Sequence, residues 1–143
     1  RRYFPGCALT ADMITGFPGE TEADQAAAVA FLEQVGFAAV HVFPYSRRPG
    51  TKADAMPEQL SHAVKSARAH EAQRVADACK QRYLVQQVGQ TLPVLFETEH
   101  DGSWVGHSDN YCLVRAAGDD LRGLVKNVKI SAVSGQMLVG DLV

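Results

Sequence analysis

The hydrophobic period changes once along this 143-residue chain, near Gly89, and that change limits the possible folds more than any other feature. From Pro57 to about Gln87, the apolar positions Leu60, Val64, Ala67, Val75, Ala78 and Leu84 recur at helical spacing, with Arg68, Arg74 and Arg82 off the stripe. Pro57 and Glu58 suit the first turn of this helix. About 28 residues at 1.5 Å each make a rod of roughly 40 Å, long enough to join two bodies. After Gly89 the period is two. TLPVLFETE, GSWVGHS, NYCLVRAAG, LVKNVKISAVS and QMLVGDLV are strand-like runs broken by HDG, SDN, GDD and SG turns. Five short strands so closely spaced predict a small antiparallel barrel of OB-like size.

Upstream, CALTADMITG from Cys7 to Gly16 is an apolar run of strand length without strict alternation, which predicts a strand covered on both faces. GFPGET then turns the chain, and Thr21 with Asp24 three residues later forms a helix N-cap of the capping-box type. Ala26, Ala27, Val29, Ala30, Phe31, Leu32 and Val35 give the helix a broad apolar face, and Gly36 is placed to end it. Phe37 to Phe43 is a second buried strand. Strand, helix and strand in so short a span make a βαβ unit with parallel strands and a right-handed crossover. Two strands cannot bury their own sheet, so the α/β fold expected is the last βαβ unit of a larger parallel (βα) barrel. A chain that starts at Arg1, with no Met and no basic-then-apolar leader, fits a segment of a longer protein. The expected organisation is residues 1–57 as barrel segment, 58–87 as connecting helix and 88–143 as the small β-barrel.

The second strand opens into HVFPYSRRPGT, from His41 to Thr51. A strand end that presents Tyr45, Ser46, Arg47 and Arg48 is where α/β proteins keep their ligand sites, because strand C-termini are open while helices cover the flanks. Guanidinium groups grip phosphate or carboxylate through two parallel hydrogen bonds, although the same two arginines could equally form ion pairs inside the fold. Charge is uneven: residues 46–86 carry eight bases against four acids, residues 1–45 two against five, and residues 87–143 four against seven. Composition is that of a soluble globular protein, and no apolar run approaches the roughly 18 to 20 residues of a membrane span. Cys7, Cys79 and Cys112 form no CxxC or CxxxCxxC pattern, so no metal ligand set is expected here, and three unpatterned thiols suit a reducing cytoplasm.

GFPGET after one strand, YSRRPGT after the next, a long helix and a five-stranded barrel together resemble the C-terminal half of a radical S-adenosylmethionine methylthiotransferase. The terminal barrel resembles the RNA-binding TRAM module of those enzymes. With both Arg47 and Arg48 present, the loop is most similar to the enzymes acting on N6-threonylcarbamoyladenosine beside the tRNA anticodon, a transferase activity; the isopentenyladenosine enzymes usually carry a YSPRPGT-like loop. The resemblance implies S-adenosyl-L-methionine and [4Fe-4S] clusters as cofactors, with cluster ligands outside this chain, so that the segment alone is inactive and holds no catalytic or metal-binding residue. It implies that Ile14 and Gly16 border the adenosine of the cofactor, that Glu20 braces the loop, and that Val42, Phe43 and Pro44 lie by the adenine. Tyr45, Ser46, Arg47, Arg48 and Thr51 then face substrate or RNA. The broader GxIxGxxE pattern is met at Ile14 and Gly16, with Asp12 at its first glycine and Glu20 one position late.

In the barrel, Tyr111, Trp104, Arg115, Lys126 and Lys129 are candidates for tRNA contact by stacking and charge, with Trp104 and Tyr111 equally suited to the core. Seven acids against four bases exclude binding by overall field, so contact there needs a local patch. Two other readings use the same residues: a non-catalytic RNA-binding module, and an adaptor whose βαβ unit completes the sheet of another chain. GFPGE by itself is also an ordinary strand-to-helix turn.

Overall fold

The computed structural model describes residues 3–4 and 6–143; Arg1 and Arg2, the two bases counted in the first segment, lie outside the described residues, as does Pro5. The elements run β1 (Thr10–Thr15), α1 (Glu22–Val35), β2 (Ala39–Pro44), α2 (His62–Gln87), β3 (Thr91–His100), β4 (Ser103–Ser108), β5 (Leu113–Ala117), β6 (Val125–Ser134) and β7 (Met137–Leu142). They gather into two compact units. Leu9–Lys80 form one, Gln81–Val143 with the described residues before Leu9 form the other, and α2 contributes to both.

In the first unit β1 and β2 pair in parallel, from Thr10 opposite Ala39 to Thr15 opposite Pro44. The connecting α1 starts where its sequence says it should: Thr21 Oγ1 accepts the Asp24 N–H at 3.1 Å and Asp24 Oδ2 accepts the Thr21 N–H at 2.9 Å. It stops at Gly36, whose φ of 63° favours glycine and whose N–H donates to the Leu32 carbonyl. Leu32, Ala72, Val75 and Cys79 form a buried core against which Met13, Val29, Phe37, Val40 and Val42 pack. The strands are thus covered on one face, not on both. Their other face leaves Ile14 56% and Phe43 51% exposed, because the helices form a single layer and no second layer covers that side among the described residues.

α2 begins at His62 rather than Pro57. Glu58 adopts a φ of 59°, which a right-handed helix excludes, and Ser61 supplies the cap by accepting the Val64 N–H at 3.3 Å. Its buried face is Arg68, Ala72, Val75, Ala76, Cys79, Tyr83, Leu84 and Gln87, while Ala67 and Ala78 are exposed. Alanine carries too little apolar surface to set the rotation of a helix, and two polar residues lie inside because each finds hydrogen-bond partners there. Arg68, expected off the stripe, is therefore part of the interior.

The second unit is a closed barrel in the order β3-β4-β5-β7-β6, with β6 pairing back to β3. The expected five strands are all present, but the barrel is mixed rather than antiparallel: β5 and β7 run parallel, with Val114 opposite Leu138. A closed ring with an odd number of strands cannot alternate direction all the way round, so one parallel seam is unavoidable. Val94, Phe96, Val114, Val128, Ile130 and Leu138 fill the interior, and Trp104 joins them at 6% exposure. Bulges between Phe96 and Thr98 and between Ile130 and Ala132 bend the two ten-residue strands enough to close the ring. Gly106 lies opposite Phe96, where an added Cβ would come within 2.7 Å of the Phe96 Cα. The last turns of α2 are tied in by Asn110, whose Nδ2 donates to the Tyr83 hydroxyl and to Gln87 Oε1, each at 3.1 Å. Burial pushes the Tyr83 phenol up.

Replacing Phe96 with Ala empties the centre of the barrel and is expected to cost about 3–5 kcal/mol in denaturant unfolding. Hydrogen bonds from Thr21 hold the Asp24 carboxyl below its ordinary value of 3.8. Its contribution to α1 is therefore complete above that ordinary value and lost as pH falls through the lowered one. Carbon-detected titration of Asp24 is expected to return a midpoint under 3.8, and the T21V variant, which removes the hydroxyl but keeps the Thr21 N–H, to move it up toward the ordinary value.

Candidate functional site

The parallel register brings the C-terminal ends of β1 and β2 side by side, with Ile14 opposite Phe43 and the Tyr45 N–H donating to the Thr15 carbonyl at 2.8 Å. Directly after β1 the chain must turn under α2. Gly16 takes a φ of 70°, and an added Cβ would lie 2.6 Å from the Lys65 Cγ, so both its conformation and its packing require glycine. Its N–H donates to both carboxylate oxygens of Glu20, at 2.9 and 3.0 Å. Glu20 in turn receives Arg68 Nη1 at 2.7 Å, and that nitrogen also donates to the Glu20 carbonyl at 2.9 Å. Arg68 Nη2 reaches Glu22 at 2.6 Å. The Glu22 hydrogen bond raises the Arg68 pKa above its ordinary value, burial opposes the rise and Glu20 adds to it. A guanidinium only 6% exposed thus stays charged and fixes the turn from the far side.

A cleft of about 420 Å³ opens at the two strand ends, lined by Ile14, Phe43, Pro44, Tyr45, Ser46, Arg48, Thr51 and Ala53. The Tyr45 ring is set by the edge of Phe17, 5.2 Å away, and by Lys65 Nζ, 5.1 Å above its face. Of the residues expected to border a cofactor, Ile14, Phe43 and Pro44 line this cleft and fit a flat heterocycle. Val42 packs into the helical core instead, while Gly16 and Glu20 form the turn beneath. Of those expected to face substrate, Tyr45, Ser46, Arg48 and Thr51 line the cleft and Arg47 does not. Arg47 donates through Nε to Asp54 Oδ1 at 2.7 Å and through Nη2 to the Asp54 carbonyl at 2.8 Å, the ion-pair alternative left open by the sequence. For an iron–sulfur cluster the residues do not fit: no group of three or more His, Cys, Asp or Glu gathers among the described residues, and Cys79 and Cys112 are each buried.

On the barrel, Tyr111 is 85% exposed at a φ of 62°, 6.3 Å from the His107 ring, beside a shallow cleft that includes Pro93, Leu95 and Val125. His107 Nδ1 lies 2.6 Å from Glu97. Arg115, Lys126 and Lys129 are exposed, and Lys129 Nζ donates to the Gly89 carbonyl. Trp104 belongs to the interior and offers no stacking surface. Sequence reasoning missed Arg68, Lys65, Asp54 and Asn110. For Arg68 a signal existed, since it lies four and seven residues before Ala72 and Val75, on their face of the helix.

An open cleft at parallel strand ends, carried on the same chain as a small closed barrel, makes this an α/β unit with an appended β-barrel module. Comparison with known proteins narrows this. The chain is 37% identical over 136 residues to threonylcarbamoyladenosine tRNA methylthiotransferase MtaB of Bacillus subtilis, covering 91% of this chain and 30% of that protein. It is 40% identical over 141 residues to the tRNA-2-methylthio-N(6)-dimethylallyladenosine synthase of Maricaulis maris, covering 96% of this chain and 31% of that protein. With the synthase of the same name from Campylobacter jejuni it shares 35% over 145 residues, 100% of this chain and 34% of that protein. No family model matches. The chain is thus similar to tRNA methylthiotransferases over nearly its whole length and spans about a third of the length of the relatives it matches.

Removing the Arg68 side chain leaves the half-enclosed Glu20 carboxylate without its cation, and R68A is expected to cost about 3–5 kcal/mol. E22Q is expected to cost less than about 1 kcal/mol, because the Glu22 side chain is 88% exposed. Urea unfolding of the two variants checks the ranking.

Proposed function

We propose that the chain is the C-terminal part of a radical S-adenosylmethionine tRNA methylthiotransferase that adds a methylthio group to carbon 2 of N6-threonylcarbamoyladenosine beside the anticodon. The observation that carries this reading is the 37% identity, over 91% of the chain, to a protein named for that reaction. Residues 1–57 belong to a parallel (βα) barrel whose remaining strands lie elsewhere in the longer protein, residues 58–87 connect, and residues 88–143 are a TRAM-like barrel. The outer edges of the two-stranded sheet, each without a pairing strand among the described residues, support the first assignment, since further strands would pair there.

Ile14, Phe43 and Pro44 offer adenosine an apolar wall. Gly16 keeps the backbone close, and Glu20 acts on the site by holding Gly16 rather than by touching the ligand. Bound S-adenosylmethionine and a [4Fe-4S] cluster supply the radical chemistry, and the cluster ligands come from cysteines outside this chain, so that the segment by itself is inactive. Tyr111, Arg115, Lys126 and Lys129 provide tRNA contacts on the barrel, through a local surface as its net acidity requires. No described helix is long and apolar enough to cross a membrane. The site of action is the cytoplasm, with tRNA as the macromolecular partner.

The 40% identity to a dimethylallyladenosine synthase favours a second reading, in which the same wall holds an isopentenylated adenosine. Mass analysis of tRNA nucleosides from a deletion strain and its complemented parent separates the two. Loss of the methylthio group from N6-threonylcarbamoyladenosine alone supports the first reading, loss from the isopentenyl nucleoside alone supports the second, and an unchanged profile overturns both.

A further inference from the structure

We infer that the cleft on the outer face of the barrel seats one unpaired guanine of an RNA chain, with Tyr111 stacked on the base and the Asp109 carboxylate reading its edge. This rests on the proposal above that Tyr111 belongs to a tRNA contact, and it names the group contacted.

The floor of the cleft is a row of side chains across three neighbouring strands. Leu95 of β3 lies opposite His107 of β4 on one side and Val125 of β6 on the other, and Pro93 precedes Leu95 on the same face. Leu95 is 43% and Val125 63% exposed, so the barrel carries apolar surface outward where its core does not need it. Tyr111 borders that row in a backbone conformation that its Cβ disfavours. The loop around it fixes that conformation. The Tyr111 N–H donates to the Ser108 carbonyl at 2.9 Å, the Cys112 N–H to Ser108 Oγ at 3.0 Å, and Ser108 Oγ to Asn110 Oδ1 at 2.6 Å. An exposed ring held in this way beside an apolar floor is a stacking platform.

The charges in the cleft decide what it can stack. No lysine or arginine lines it among the described residues, so it offers phosphate nothing. Glu97 is engaged, with Oε2 2.6 Å from His107 Nδ1. Asp109 is the opposite case. Its N–H is held on the Pro93 carbonyl at 3.3 Å, while its exposed carboxylate lines the cleft and makes no hydrogen bond among the described residues. A carboxylate has only acceptors to offer. Guanine alone among the four bases sets two donors, N1–H and the N2 amino group, side by side on its pairing edge. Adenine and cytosine place an acceptor beside their amino group, and uracil flanks its single N–H with two carbonyls. Stacking on Tyr111 is open to any base, and the carboxylate supplies the preference.

The test uses the full-length protein and four RNA pentamers, UUGUU, UUAUU, UUCUU and UUUUU, with binding followed by fluorescence anisotropy over a range of salt. The unsubstituted protein is expected to bind UUGUU about tenfold more tightly than the other three, the scale of one bidentate contact. Y111N, whose asparagine accepts the left-handed backbone, is expected to weaken UUGUU about tenfold with the salt slope unchanged, because no phosphate contact is lost. Y111F keeps the stacking face and is expected to bind as the unsubstituted protein does. D109A is expected to bring the four pentamers within about twofold of one another. Equal binding of all four by the unsubstituted protein, or a preference that survives D109A, overturns the guanine assignment while a loss in Y111N leaves the RNA contact standing. Binding that Y111N does not weaken, a salt slope that falls in Y111N, or binding of no pentamer overturns the base site and that contact together.

Discussion

The buried guanidinium of Arg68 is the interaction on which the α/β unit depends. It lies in α2 but answers Glu20, 48 residues earlier, and Glu20 answers the backbone of Gly16. One charge therefore joins the helix, the turn after β1 and the start of α1. The ordering matters energetically: a charge this enclosed is tolerable only because the carboxylate and the carbonyl it meets are already in place, and they are in place because Gly16 can turn without a side chain. The cleft inherits its shape from this arrangement, since Ile14 precedes the turn by two residues and Lys65, packed on Gly16, also covers the ring of Tyr45.

What the sequence disclosed was whatever rests on near neighbours. The capping box at Thr21 and Asp24, the stop at Gly36 and the five alternating runs of the barrel are decided within a few residues, and each formed as read. The parallel seam between β5 and β7 was not read: five strands in a closed ring require one such seam, but the reading expected an antiparallel barrel, and parity does not say which pair it falls on. Where the reading went astray, distant partners decided the outcome. Arg68 looks solvated until Glu20 is known to face it, and Glu58 looks helical until its positive φ, with its carbonyl accepting the Gly19 N–H, is seen. Trp104 could have been a platform or a core residue, and only closure of the barrel put it inside.

The candidate site divided along the same line. Ile14, Phe43, Pro44, Tyr45, Ser46, Arg48 and Thr51 came together as strand-end and loop neighbours should. Val42 did not, because alternation along β2 sends it to the opposite face from Phe43. Arg47 did not, because Asp54 lies seven residues on in an irregular loop where no period announces a pairing.

Closure gives the small barrel a property that the α/β unit lacks. Every one of its five strands has neighbours on both sides, so it presents no open hydrogen-bonding rim to another polypeptide. The two-stranded sheet has an unsatisfied rim on each side among the described residues, together with a bare apolar surface. Cut free and concentrated, the first unit is the one that would self-associate strand to strand, and the second would remain dispersed.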